Sequence, residues 1–339
     1  MHIDEWKAIT LTRLGLTRPM TTHEICRRHN GVQAQFQTYA DEGFKSRLRP
    51  EEWASDWSRD LVRQWSLRGT IHAYLKEEIP LYLYKGRNQG AWLDYLSKHG
   101  GATREEEQHY AHLIEDSLRS GNKTRDELKA ICRSAGLRPE QEKHYFSAWG
   151  GLLAAMVFDG RIYQEYGKRS FGLLDRYEPW ERDAAQLEIA RRYFSGFGPV
   201  SIRDARYYFK TTKSEIEGWM KQLDLSTVEV GGTRRYYIGD LPVPDEIPEA
   251  LFIAGFDALL LAFEKQENPF FDPKFLREIY TMTGIIKPTL LLRGSLTATW
   301  RKEKGSVFVK PFRSLTKKDI QRIEQTAFKR FDTQKIHWE

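Results

Sequence analysis

Gln33, Gln35 and Gln37 stand at spacing two in the stretch Asn30-Gly-Val-Gln-Ala-Gln-Phe-Gln37. In extended backbone, alternate side chains share a face, so three carboxamides would point to one side. A carboxamide accepts through its oxygen and donates through its NH2. It cannot act as a general base at neutral pH, so its chemistry is positioning. Amides placed so regularly between apolar residues are unusual for a core and unnecessary for a surface. A loop with three solvated glutamines is the other reading these residues leave open. A second polar set, Arg68, Thr70 and His72, sits at alternate positions in Leu67-Arg-Gly-Thr-Ile-His72. His72 and Cys132 have no partner at metal-ligand spacing, and no metal and no cofactor are expected. Two buried thiols are the expectation for the cysteines.

The elements around these residues repeat one order: a helix, a short turn with Ser or Thr, two more helices, then a β-hairpin. In the first copy, residues 3–16 carry Trp6, Ile9, Leu11 and Leu14 at helical spacing, and Thr22 with Glu24 starts the next helix. A third helix is expected over residues 50–64, with Trp53, Trp57, Leu61 and Val62 on one face. Residues 65–75 alternate at period two and read as a strand pair or wing. The second copy begins near residue 102, with Thr103 and Thr124 as helix starts and a third helix over 141–158. Asp159-Gly160 turns it into a hairpin of 161–166 and 171–174 with a basic tip. The third copy has a helix over 184–197 ended by Gly198-Pro199, a helix capped by Ser201 and another over 212–223. Its hairpin turns at Gly231-Gly232. Such copies outline a winged helix, a variant of helix-turn-helix. After a proline-rich linker at 241–248, strands are expected at 286–292 and 306–309, with turns at Gly294 and Gly305 and an amphipathic helix over 315–331. The expected fold is α+β: three tandem winged-helix units at 1–90, 91–178 and 179–240, and a C-terminal β-rich domain at 241–339.

Of the net charge of +6, residues 287–339 contribute +8, from 13 Lys and Arg against 5 Asp and Glu. The positive charge therefore collects at the C-terminal end, the pattern of a polyanion footprint. Arg293, Arg301, Lys302, Lys304 and Lys310 are the candidate contacts. The N-terminus lacks a signal-like apolar block and no run has membrane-spanning length, so a cytoplasmic protein without a membrane partner is expected.

The chain resembles the AlkZ/YcaQ-type winged-helix DNA glycosylases, associated with crosslink and alkylation repair. Gly31-Val-Gln-Ala-Gln35 looks like the family's Gln-aliphatic-Gln catalytic motif, and Leu67 to His72 like its Arg-Gly-Thr-hydrophobic-His stretch. Arg191-Arg-Tyr-Phe-Ser-Gly-Phe-Gly-Pro199, Gly255-Phe-Asp-Ala-Leu-Leu-Leu261 and the segment from Arg293-Gly294 to Trp300-Arg301 are similar to later family segments, in the same order. Two positions depart: Phe36 replaces a small or acidic residue, and Glu264-Lys265 stands where Asp-Arg is expected. The resemblance implies a cleft for duplex DNA and catalytic roles for Gln33 and Gln35. It places Arg68, Thr70, His72 and Asp257 as candidate lining residues of the active site.

That resemblance also explains why amides could suffice. An N7-alkylguanine is cationic and leaves as a neutral base, so the remaining task is to hold water against an oxocarbenium-like sugar. The expected function is thus a monofunctional glycosylase acting on alkylated or crosslinked purines in double-stranded DNA. The competing class is a non-catalytic winged-helix regulator, which would normally dimerise on a palindrome. Three units in one chain without coiled-coil heptads favour a monomer. No carboxylate cluster suits a two-metal nuclease.

Overall fold

The computed structural model describes residues 1–87, 103–147, 150–331 and 335–339. The expected boundary between residues 90 and 91 and the start near residue 102 lie outside the described residues, as do residues 148–149 of the helix expected over 141–158. Side-chain caps set most helix starts. Thr21, Thr103, Thr124 and Ser201 each close a capping box with an acidic residue three positions on. Each box satisfies amides that the helix itself leaves open. The first of these corrects the expectation: Thr21, not Thr22, is the cap, because its hydroxyl is the one that reaches the Glu24 amide.

Two compact units divide the chain: Met1–Trp57 with Ile189–Glu339, and Ser58–Glu188. In the first, the Ile3–Arg13 helix buries Trp6 at the core. Its indole N–H donates to the Pro199 carbonyl at 2.9 Å, and its ring meets the Phe263 ring edge-on at 5.2 Å. Tyr193 stacks on Tyr208 at 4.6 Å, so the Ile202–Phe209 helix lies against Arg182–Gly196. The hairpin Ser226–Val230 and Thr233–Tyr237 turns through Gly231 and Gly232, both at positive φ as the tight two-residue turn requires.

The third helix expected over 50–64 is not there. Only Pro50–Trp53 is helical, and Leu61–Trp65 is a strand paired antiparallel with Ile71–Leu75. Ser55, Asp56, Ser58 and Asp60 break the run, and Val62 and Trp65 suit a strand as well as a helix. A helix does occur earlier, at Gln37–Lys45, and takes in the last glutamine of the run.

The same first unit carries a five-stranded sheet. Its order is Ile336–Trp338, Ser306–Pro311, Ser295–Glu303, Thr289–Leu292 and Ala250–Ile253, with only the first pair parallel. Two of its hairpin turns are a basic residue followed by glycine, Arg293-Gly294 and Lys304-Gly305, all four at positive φ. The Lys317–Phe331 helix covers the sheet with Ile323, Ala327 and Phe331, and Phe331 meets Phe252 edge-on at 5.1 Å.

In the second unit the helices Arg104–Leu118, Arg125–Ser134, Pro139–Tyr145 and Leu152–Phe158 accompany a three-stranded sheet of Lys123–Thr124, Ser170–Leu173 and Ile162–Gln164. The expected helix over 141–158 is therefore two helices. Gly151 lies at φ +86, and a Cβ there would meet the His144 carbonyl oxygen at 2.2 Å, so the chain turns where no helix can continue. Cys26 and Cys132 are both buried thiols. Among the described residues no helix is long and apolar enough to cross a membrane.

Candidate active site

The glutamine motif follows the Thr22–His29 helix through two left-handed residues, Asn30 at φ 55 and Gly31 at φ 80. The Gly31 amide returns to the Cys26 carbonyl at 2.7 Å, closing the helix. Asn30 is fully buried and its Nδ2 donates to the Ile189 carbonyl at 3.0 Å. The turn is further held because Gly196 presses on Arg28: a Cβ at Gly196 would lie 2.0 Å from the Arg28 carbonyl oxygen. His29, also buried, stacks on Phe197. The exit angle of the motif is thus fixed by packing on both sides.

Beyond this turn, only Val32–Gln33 is strand. Gln33 is 6% exposed, Ala34 is buried and Gln35 is half-buried. Gln37 does not continue the alternation, since it opens the Gln37–Lys45 helix. The extended alternation therefore does not run through all three amides: Gln33 ends the strand, Gln35 lies in a bend and Gln37 in a helix. Phe36, the residue that departs from the family pattern, is 41% exposed, and its ring stacks with Phe256 at 6.0 Å and tilts against Tyr39 at 5.5 Å. Gly255 permits this cluster, because a Cβ there would meet the Tyr39 ring at 2.4 Å.

Asp257 sits at the end of that segment and is buried. Its two oxygens accept from Arg47 at 2.7 and 2.9 Å, and Oδ1 also accepts from the Leu259 amide at 2.9 Å. Arg47 in turn donates to the Leu14 and Gly43 carbonyls at 2.7 and 2.9 Å. The Phe-Asp segment thus clamps the chain on both sides of the glutamine motif. Arg47 carried no signal in the sequence, being one arginine among many, 210 residues from its partner.

Arg68, Thr70 and His72 come together in the second unit, at the turn between Leu61–Trp65 and Ile71–Leu75. Arg68 lies at φ 57. Its NH2 is 3.2 Å from His72 Nε2, and His72 Nδ1 is 3.3 Å from the Thr70 carbonyl. A neutral ring protonated at Nδ1 satisfies both contacts. Burial pushes the His72 pKa well below its ordinary value, and the Arg68 charge pushes the same way. The cross-strand neighbour Gln64 donates to the Tyr74 hydroxyl at 3.0 Å and accepts from the Gln164 amide at 3.2 Å.

The C-terminal basic residues line one sheet and its turns. Several are already committed. Arg293 pairs with Asp319 at 2.8 Å, Arg301 with Glu339 at 2.5 Å and Lys310 with Glu278 at 3.1 Å. Arg301 also lies over the Phe308 ring, and Lys302 over Phe331. Lys304 stands exposed at a hairpin turn. Among the described residues, no group of three or more His, Cys, Asp or Glu side chains could hold a metal ion.

Three comparisons bear on this arrangement. A family model described as DNA glycosylase AlkZ-like matches residues 26–330. An interstrand DNA cross-link repair glycosylase of Streptomyces sahachiroi is 22% identical over 337 residues, covering 92% of this chain and 90% of that protein. The solved structure of Streptomyces sahachiroi DNA glycosylase AlkZ matches at a TM-score of 0.74 and 20% identity, over 99% of each chain. The last likeness is one of fold: a mixed helix-and-sheet architecture along the whole chain.

Proposed function

Since the chain belongs to the AlkZ-like DNA glycosylase family, enzymes that hydrolyse N-glycosyl bonds, we propose that it removes cationic N7-alkylated purines from duplex DNA. We further propose that Gln33 and Gln35 position the attacking water. The observation that carries this reading is the pair's setting: Gln33 buried and Gln35 half-buried, just past a helix end that packing holds rigid. A buried amide has a fixed orientation, so Gln33 can hold Gln35, and Gln35 can hold water. Water oxygen bonds to the sugar C1′ as the C1′–N9 bond breaks. The bonding electrons neutralise the charged base, and the proton of the attacking water passes to solvent. No general base is needed, because the leaving base is already activated. Preorganised dipoles of this kind supply several kcal/mol.

Related to this reading is the proposal that each repeat of helices and hairpin, at 1–90, 91–178 and 179–240, serves as a winged-helix unit, with 241–339 as the C-terminal domain. The units would then form a DNA cleft and act as backbone clamps for a monomer. Arg68, Thr70 and His72 would hold their hairpin turn, and Asp257 would hold the motif through Arg47. The relative from Streptomyces sahachiroi is named for interstrand crosslinks, and a crosslinked N7-alkylpurine is included in the proposed substrate class.

The test is base release from duplex DNA with a single 7-methylguanine, read by alkali cleavage of the abasic site. Gln35→Ala is expected to lose about 100-fold in rate, roughly 2.7 kcal/mol of barrier, and Gln33→Ala somewhat less. Wild-type rates in both variants would reject the assignment. Sequence-selective binding without any base release would favour the regulator instead.

A further inference from the structure

A pocket of about 470 Å³ opens in the first unit between the end of the Ile3–Arg13 helix, the Thr22–His29 helix and the chain after Thr233–Tyr237. Four arginines line it: Arg13, Arg18, Arg28 and Arg49, with Glu24 and Asp240 as its carboxylates. The pairing of these charges is uneven. Arg18 is bound to Asp245 at 2.8 Å. Glu24 accepts from the Thr21 amide at 2.8 Å and has Arg49 at 3.8 Å, so one carboxylate serves a helix cap and an arginine together. Arg13 is 5% exposed yet meets no carboxylate among the described residues. It donates to the Ser195 and Asp240 backbone carbonyls at 2.8 Å each. Arg28 is exposed and forms no ion pair among the described residues.

A buried guanidinium held by carbonyl oxygens and the Tyr237 ring, beside an exposed one without an ion pair among the described residues, is an incomplete electrostatic arrangement. Burial first, and the neighbouring positive charge of Arg28 with it, push the Arg13 pKa down to about 10. A tetrahedral oxyanion in the pocket would relieve both, and arginine forks match phosphate oxygens two at a time. The contrast with the C-terminal basic residues is direct, because Arg293, Arg301 and Lys310 already face carboxylates in this structure.

We propose that this arginine pocket is a phosphate-binding site, contacted chiefly through Arg28 and Arg49 and backed by Arg13. Its occupant on the glycosylase reading above, on which this choice of source rests, is a phosphodiester of the duplex backbone. The same chemistry would also accept free phosphate, so the experiment needs both arms.

The full-length wild type, Arg28→Ala and Arg28→Ala/Arg49→Ala are titrated with a fluorescent undamaged duplex across a series of salt concentrations. Both side chains are exposed, so their removal leaves the core intact. The expected result is weaker binding, by about fivefold or more for the double variant at low salt. The slope of log affinity against log salt should also shrink by about 0.9 for each lost contact. In a parallel arm, thermal midpoints of the same proteins are followed against inorganic phosphate and pyrophosphate. A midpoint rise present in the wild type and absent in the variants, with unchanged salt slope, would support the site with free phosphate as its source. An unchanged slope together with no phosphate-dependent midpoint shift overturns the proposal. Gln35→Ala runs alongside as the separate check. It is expected to keep the wild-type salt slope while losing base release, so the pocket and the catalytic assignment fail on different readouts.

Discussion

Arg47 and Asp257 are 2% and 0% exposed at the side chain, and each is the other's only opposite charge at bonding distance among the described residues. Removing one partner of a buried pair strands the other charge, which typically costs about 3–5 kcal/mol. Asp257→Asn keeps the shape and cap geometry but removes the carboxylate, so a fall of that size is expected in urea-derived stability. The same variant separates two roles for Asp257. If it serves only to clamp the motif, the folded fraction of Asp257→Asn should retain base release at low temperature, within about tenfold of wild type. A well-folded variant that has lost activity altogether would put the carboxylate at the chemistry itself. The departure from the family pattern at Phe36 is absorbed by Phe256 and Tyr39, which give the ring a stacked seat beside Gln35.

The elements that were legible in the sequence are those with local signals. Capped helices at Thr103, Thr124 and Ser201, the Gly231-Gly232 hairpin and the Lys317–Phe331 helix carry caps, glycine turns or a clear apolar stripe. The Gln37–Lys45 helix carries none of these. Phe36 gives it no side-chain cap, and Gly43 sits inside it although a Cβ there would make only ordinary contacts with Val32 and Ala254, at 3.5 and 3.9 Å. Trp53, Trp57, Leu61 and Val62 mimic a helical stripe, but Leu61 and Val62 spend their apolar faces on a strand pair that only the tertiary structure creates. Contacts across long sequence separations, such as Arg47 with Asp257 or Asn30 with Ile189, leave no local mark at all. The Gly196–Arg28 approach is of that kind, and it has a measurable consequence. Gly196→Ala must push the Arg182–Gly196 helix away from the end of Thr22–His29, since the contact is backbone on one side and cannot rotate away. Overpacking of this sort costs about 1–3 kcal/mol. The chemical-denaturation midpoint should drop accordingly, and base release should slow because the turn before Gln33 moves. A variant as stable and as fast as wild type would show that the helix end is not what sets the motif.

Across the whole molecule, charge reads differently once pairing is known. The C-terminal excess seen in composition is partly neutralised in place, while Arg13 and Arg28 near the N-terminus form no ion pair among the described residues. Buried histidines beside arginines set the acid response. Among the described residues two histidines are buried: His29 in the first unit, near Arg47 and Arg28, and His72 in the second, near Arg68 and Arg87. Burial lowers both pKa values well below the ordinary 6.5, and the arginines add to the shift. Above pH 6.5 both histidines are neutral in folded and unfolded chains alike, and their contribution is whole. Below it the unfolded chain takes up protons that the folded chain refuses, so stability falls as pH falls through the window under 6.5. The slope approaches about 1.4 kcal/mol per pH unit for each histidine. Thermal or urea midpoints between pH 7.5 and 5 should therefore decline. His29→Asn/His72→Asn, which cannot take up these protons, should flatten that decline even if its stability at pH 7.5 is lower. A double variant whose pH slope matches wild type would mean that the histidines are not the acid-sensitive groups, and that the ion-paired carboxylates carry the response.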